Sequence, residues 1–268
     1  MPFSPLLLES PKRVYYRQML FREQPSGTLA ISQLTHAWLS GQILRAWDAS
    51  FGEPLLLAAE QHDIGWMDWE IAPTFDTQTG RPHLFRNVGA SVHAPMWSLG
   101  VRRAQEAWGA HVALLISRHG GLIYNRYADR HHVAVADAAA ADQFLETQAP
   151  IEAFWARSLG LEERALRKET ALVALADALS LAVCGELTTP VDFEAPASNG
   201  EMLTIRLTER PGQPFDFTLS PWPFRVDAIT VEGEARPLPS EGRFSDEAAM
   251  RAWFASPARV TFQGRILR

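Results

Sequence analysis

Four stretches of the chain put histidines and acids where an apolar core is expected. LLLAAEQHDIGWMDWE (55–70) closes an apolar, helix-like run on His62, and Asp63 follows at once. Asp177 lies in ETALVALADALSLAVCG, a run apolar almost all the way round, which predicts a buried helix. A lone carboxylate there is costly unless it is paired, protonated or bound to a metal. An ion pair with an arginine such as Arg45 or Arg118 is the plain alternative. His119 closes HVALLISRHGG behind the core-like run VALLIS, and His36 sits among apolar groups in QLTHAWLSG. Each histidine taken singly fits a core imidazole hydrogen-bonded to a backbone carbonyl. Together, His36, His62-Asp63, His119 and Asp177 place imidazoles and carboxylates on four separate helices. Those groups are ligands for Mn, Fe, Co or Zn, with Mg also admitted. Side chains converging from several helices of a bundle are a known way to hold such an ion.

His62 and Asp63 are adjacent, about 100° apart on a helix, and near its end, where two side chains can diverge toward one site. Asp63 has two oxygens and can bridge two cations while His62 binds one. Trp66 and Trp69 follow, either as core aromatics or as a pocket wall. Glu60 and Glu70 read as surface charges or as proton-transfer groups.

The order of these residues resembles the HD superfamily of metal-dependent phosphohydrolases. Its signature is a histidine, a His-Asp pair on the next helix, and an aspartate on a late helix. Here those are His36, His62, Asp63 and Asp177, with 26 residues from 36 to 62 and 114 from 63 to 177. Members with two metals add two histidines in between. His119 fits the second, and His93 fits the first better than the loop residue His83. Within the superfamily the chain is most similar to a bacterial family named only as a domain of unknown function. That similarity is carried by THAWLSGQI, HDIGWMDWE, the TGRP–LF segment, ALLISRHGGL and PWPF (221–224).

The resemblance implies a mainly α protein, an HD-type helical bundle holding one or two divalent transition-metal ions. With six ligands (His36, His62, Asp63, His93, His119, Asp177), the two aspartates bring −2 and two divalent cations +4. The net +2 suits a small anionic substrate, and metal-activated water would attack a phosphate ester or nucleotide. Asp63 is then catalytic through its bridge. Arg118, next to His119, and Arg81, in the TGRP loop, are candidates to stabilise charge on phosphoryl oxygens. If His93 is not a ligand, one ion remains, held by His36, His62, Asp63 and Asp177. A diiron oxygenase would use the same six ligands, and a non-catalytic binding module with a structural metal is a third reading.

The elements that must carry these residues follow from periodicity. Residues 29–49 repeat apolar groups at helical spacing with Ser32 as cap, and 54–64 form the next helix. Further helices are expected near 88–108, 110–119, 134–159 and 161–184, with a loop over 71–87. Residues 13–21 read as a strand. TTPVDFEAPASNG (188–200) reads as a boundary. After it come strands at 202–208, 215–220, 224–233 and 258–267, with a helix near 245–255. The expected organisation is a helical metal-binding domain over 1–187 and a small β-rich C-terminal appendage over 188–268.

The bulk properties narrow the partners. The 268 residues are 47% hydrophobic and 21% charged, with 25 Lys+Arg against 31 Asp+Glu, net −6. That balance argues against an electrostatic nucleic-acid binder. Cys184 is the lone cysteine, so no disulfide framework or thiolate zinc cluster is expected. No stretch has the length of a membrane span, and the first residues lack a leader's pattern. The expectation is a cytoplasmic protein with no membrane partner, for which a homo-oligomer is open.

Overall fold

The computed structural model describes residues 19–47, 50–71, 73–83, 89–126, 134–196 and 202–268. Of the strand expected over 13–21, residues 13–18 lie outside the described residues. β1 (Leu20–Gln24) and β2 (Gly27–Ile31) form a hairpin in register from Leu20↔Ile31 to Gln24↔Gly27. Gly27 closes the turn at a φ of 122°, a backbone position open to glycine. Ser32 then caps α1 (Gln33–Trp47), its Oγ accepting from the Thr35 amide at 2.9 Å. α2 (Glu53–Gln61) follows, then a 3-10 turn (Ile64–Trp66) and the short α3 (Met67–Ile71). β3 (Phe75–Asp76) and β4 (Arg81–Pro82) make a small two-stranded sheet. Four long helices come next: α4 (Ala90–Trp108), α5 (Ala110–Arg126), α6 (Val135–Ser158) and α7 (Glu163–Val183).

The C-terminal part supplies β5 (Val191–Pro196), β6 (Met202–Arg210), β7 (Gln213–Ser220), β8 (Ala228–Pro237), α8 (Glu247–Ala255) and β9 (Val260–Leu267). The large sheet has seven strands in the order β1-β2-β8-β9-β7-β6-β5. It is mixed, since β7 and β9 run parallel and every other neighbouring pair antiparallel. β8 alternates exposed and buried residues, the pattern of a strand with one face on a core.

The expected fold class is therefore corrected. The protein is not a mainly α, all-helical bundle with a small appendage. It carries a large curled mixed sheet. Part of the reason is the β1–β2 hairpin. Leu29, Ala30 and Ile31 form an apolar run too short for periodicity to separate strand from helix. Periodicity assigns them to the first helix, but they pair with β1 and, through Leu29 and Ala30, with β8. The segment expected as a boundary contains β5, which pairs with β6 along its whole length.

Helices and sheet share one buried cluster, in which Leu39, Val173 and Val183 are joined with Leu207, Val231 and Ile266. Two strand glycines let helices sit close to the sheet. A side-chain carbon at Gly264 would fall 2.5 Å from Val183, and one at Gly233 would fall 2.7 Å from Thr35. Arg22 fastens the same junction. It is buried, donates to the Val183 and Gln263 carbonyls at 3.1 and 2.8 Å, and lies over the Phe215 ring at 3.6 Å. Among the described residues, no helix is long and apolar enough to cross a membrane.

Candidate metal centre

Three helices and one helix end aim the candidate ligands at one point. α1 presents His36 and Ser40 from its buried face. α2 buries Ala58 and Ala59 and ends at Gln61, so His62 and Asp63 fall in the turn before the 3-10 segment. α7 contributes Asp177 and Ser180, one helical turn apart. α5 contributes His119. His36, His62, Asp63 and His119 are 1, 3, 7 and 1% exposed.

Ligand atoms of His36, His62 and Asp177 all lie within 4.8 Å of one another. His36 Nε2 is 2.8 Å from Asp63 Oδ2, and His62 Nε2 is 3.6 Å from the same oxygen. Asp177 Oδ1 is 3.5 Å from His62 Nε2 and 3.8 Å from His36 Nδ1. Its other oxygen, Oδ2, is 3.4 Å from His119 Nε2. Asp177 thus reaches His119 as well as His36 and His62, while Asp63 Oδ2 lies beside His36 and His62.

The outer contacts fix which ring nitrogen faces this point. His62 Nδ1 lies 2.9 Å from the Ala59 carbonyl. A carbonyl only accepts, so Nδ1 carries the proton and the neutral ring turns its Nε2 lone pair inward. His36 Nδ1 lies 2.7 Å from Ser180 Oγ, whose own proton goes to the Asp177 carbonyl at 2.8 Å. His36 Nε2 faces the Asp63 carboxylate, which only accepts, so in the metal-free protein Nε2 donates to Asp63, and a metal would take the place of that proton. This is the arrangement by which outer partners orient metal-ligating histidines.

Lone pairs and carboxylate oxygens crowded together call for a cation. In the metal-free protein, protons fill that role. Burial pulls His62 down, but the charges of Asp63 and Asp177 outweigh it and raise the ring to about 9. Burial pushes Asp177 up, yet the His119 and His62 rings hold its carboxyl well below the usual range. His119 points the same way. Both its ring nitrogens are buried without a hydrogen-bond partner. Unpaired buried polar atoms call for an explanation, and an ion is one.

Other expected residues lie elsewhere. His93 turns Nδ1 to the Tyr124 hydroxyl at 2.6 Å and stacks on that ring. Arg118 forks onto Glu163 at 3.0 and 2.6 Å on the surface between α5 and α7. Arg81 donates to the Gly242 carbonyl and to Glu23. Both proposed phosphoryl arginines are thus engaged away from the cluster. The alternative of an Asp177–arginine pair is not what forms either, because Arg45 holds Glu53 and Glu60. Trp66 is buried with its ring 6.4 Å from His93 and 6.1 Å from Trp69, so it lines the His93 side of the centre.

Glu70 is the residue whose placement the sequence hid. It accepts from the Gln33 amide at the start of α1, and burial raises its carboxyl to about 8. Only the neighbouring Trp69 hinted that this turn folds inward. Ser180, which sets the His36 ring, had no signal beyond its spacing of three from Asp177. An open groove of about 430 Å³ is lined by Leu34, Trp38, Glu232 and Glu234 among others. Leu34 and Trp38 lie on the face of α1 opposite His36, so the groove is separate from the centre.

A family described as "Protein of unknown function (DUF3891)" matches residues 19–240. The match takes in every side chain of the cluster and every element from β1 through β8. No curated protein and no solved structure matches the chain.

Proposed function

The chain belongs to the DUF3891 family, and from that premise and the geometry of the centre we propose that it is a metal-dependent hydrolase of phosphate esters. One observation carries the reading. His36, His62 and Asp177 bring ligand atoms within 4.8 Å of one another, with Asp63 in contact with both rings. Two neutral imidazoles and two carboxylates suit Mn, Fe, Co or Zn, and one divalent cation balances the two aspartates. The order His36, His62-Asp63, Asp177 on successive buried elements also supports kinship with the HD superfamily.

A bound divalent cation would supply Lewis acidity and a water made acidic enough to attack phosphorus near neutral pH. The chain's own residues do the rest. The Ala59 carbonyl holds the His62 ring in the ligating tautomer, and Ser180 Oγ, 2.7 Å from Nδ1, orients the His36 ring. Asp63 and Asp177 offer the negative charge that retains the cation. His119 Nε2 faces the far oxygen of Asp177 at 3.4 Å.

The test is metal analysis of the purified protein and of Asp177→Asn and His62→Ala, followed by a panel of phosphomonoesters, phosphodiesters and nucleotides. The wild type should bind metal and turn over at least one class, and both variants should lose metal and turnover together. Full metal occupancy in Asp177→Asn would reject the centre. Tight metal binding without turnover of any phosphorylated compound would reject the hydrolase.

A further inference from the structure

His93 differs from the other histidines of the centre in one physical respect. His36 turns Nε2 to the Asp63 carboxylate, and His62 donates through Nδ1 to the Ala59 carbonyl and turns Nε2 inward, so each has a ring nitrogen on the carboxylates of the cluster. The partner of His93 Nδ1 is instead a phenol. Tyr124 is 2% exposed, and among the described residues its hydroxyl has one hydrogen-bond partner, His93 Nδ1 at 2.6 Å. A buried hydroxyl must place its proton on an acceptor or leave it unpaired, which is costly. Tyr124 therefore donates, and Nδ1 of His93 accepts. The neutral ring then carries its proton on Nε2. That tautomer offers a hydrogen-bond donor and no second lone pair for a metal.

The surroundings keep both groups neutral. Burial holds the His93 ring down to about 4 and pushes the Tyr124 phenol up. The rings are parallel, 5.3 Å apart, so His93 cannot turn over without losing the stack. His93 is near the cluster all the same. The Asp63 and Asp137 charges act on it, and its ring lies 6.4 Å from Trp66. No hydrogen bond occupies its Nε2 among the described residues, and the residue is only half-buried.

We propose that His93 donates a hydrogen bond from Nε2 to an anionic oxygen of the substrate, and that the centre holds one metal ion. This rests on the reading of the cluster as a metal centre. It fits the charge balance, because a cation neutralised by Asp63 and Asp177 leaves an anion in need of a donor. With Arg118 and Arg81 engaged elsewhere, His93 supplies it.

Wild type, His93→Ala, His93→Gln and Tyr124→Phe are loaded with Mn and compared for metal stoichiometry and for affinity for inorganic phosphate. Histidine ring tautomers are read separately by nitrogen-15 NMR on the metal-free protein. One equivalent of metal is expected in all four. Phosphate affinity should fall about tenfold or more in His93→Ala, since a donor to a charged group is lost. His93→Gln should recover most of it, because the amide keeps a donor. The ring should show the Nε2–H form in the wild type and shift away from it in Tyr124→Phe. Two equivalents in the wild type with one lost in His93→Ala would overturn the proposal, as would an Nδ1–H ring or unchanged phosphate affinity. A wild type that takes up no metal would overturn the metal centre itself, a result distinct from those.

Discussion

Replacing Gly65 by alanine tests how the His62-Asp63 turn is held. Gly65 follows Asp63 by two residues and lies against α4, the helix that carries His93. A side-chain carbon there would sit 2.3 Å from the Met96 carbonyl oxygen and 2.9 Å from its carbon. Contacts under 3.0 Å are essentially never seen, so the 3-10 turn and α4 must separate by 3.0 − 2.3, about 0.7 Å. Both sides are backbone, and no rotamer can relieve the overlap. Gly65 is not among the glycines with positive φ, so the whole cost is contact. Overpacking of this kind costs about 3 kcal/mol, which for a chain of this length lowers Tm by about 6 °C. Gly121→Ala is the control. It lies inside α5 with its nearest contact a Leu145 methyl at 3.6 Å, so alanine should be neutral or stabilising by up to about 1 kcal/mol. Thermal unfolding and Mn titration are run on both. Gly65→Ala should lose stability and bind metal more weakly, because the turn that aims Asp63 has shifted. Equal Tm values for the two variants, with equal metal affinity, would refute the close approach of turn and helix.

Four further outcomes are expected. Metal at 100 times its Kd should add about 2.7 kcal/mol to stability, a Tm rise of about 5 °C, and calorimetry should show no rise in Asp177→Asn. The His62 pKa is raised in the fold, so its contribution to metal-free stability is complete below about pH 6.5 and is lost as pH rises through about 9. Metal affinity should climb over that window as the ring sheds its proton, and a flat pH profile by titration would contradict the assignment. Glu70 is a carboxyl whose folded pKa is raised to about 8, so its burial costs stability increasingly from about pH 4.5 upward. Glu70→Gln keeps the acceptor for the Gln33 amide and should raise Tm at pH 8 and above. Arg118→Ala removes a surface pair with Glu163 and should cost no more than about 1 kcal/mol, with metal binding unchanged. Loss of metal in that variant would return Arg118 to the site.

The residues of the cluster were legible because each breaks a rule of the sequence around it. His36, His119 and Asp177 are polar groups inside apolar helical runs, and His62-Asp63 closes another. His93 broke no such rule. Its role depends on Tyr124, a residue 31 positions away, and hydrogen-bond direction cannot be read from spacing. The β1–β2 hairpin is hidden in the sequence for a related reason. Three apolar residues before a strong helix take on the helix's period, and only pairing with β1 and β8 shows that they are a strand.

What the sequence determined by itself is local: which segments are amphipathic or buried helices, where Ser32 caps one, and which side chains would be intolerable in a core without partners. Burial and helical period are properties of a short run, and the run carries them wherever it goes. What tertiary structure alone decided is relational. It joined hairpin and C-terminal strands into one sheet, made Asp177 the link to His119, sent Arg118 and Arg81 to other partners, and set the His62 tautomer through the Ala59 carbonyl. Those outcomes depend on which groups meet across distant parts of the chain, and a hydrogen bond or an ion pair exists only where two of them do.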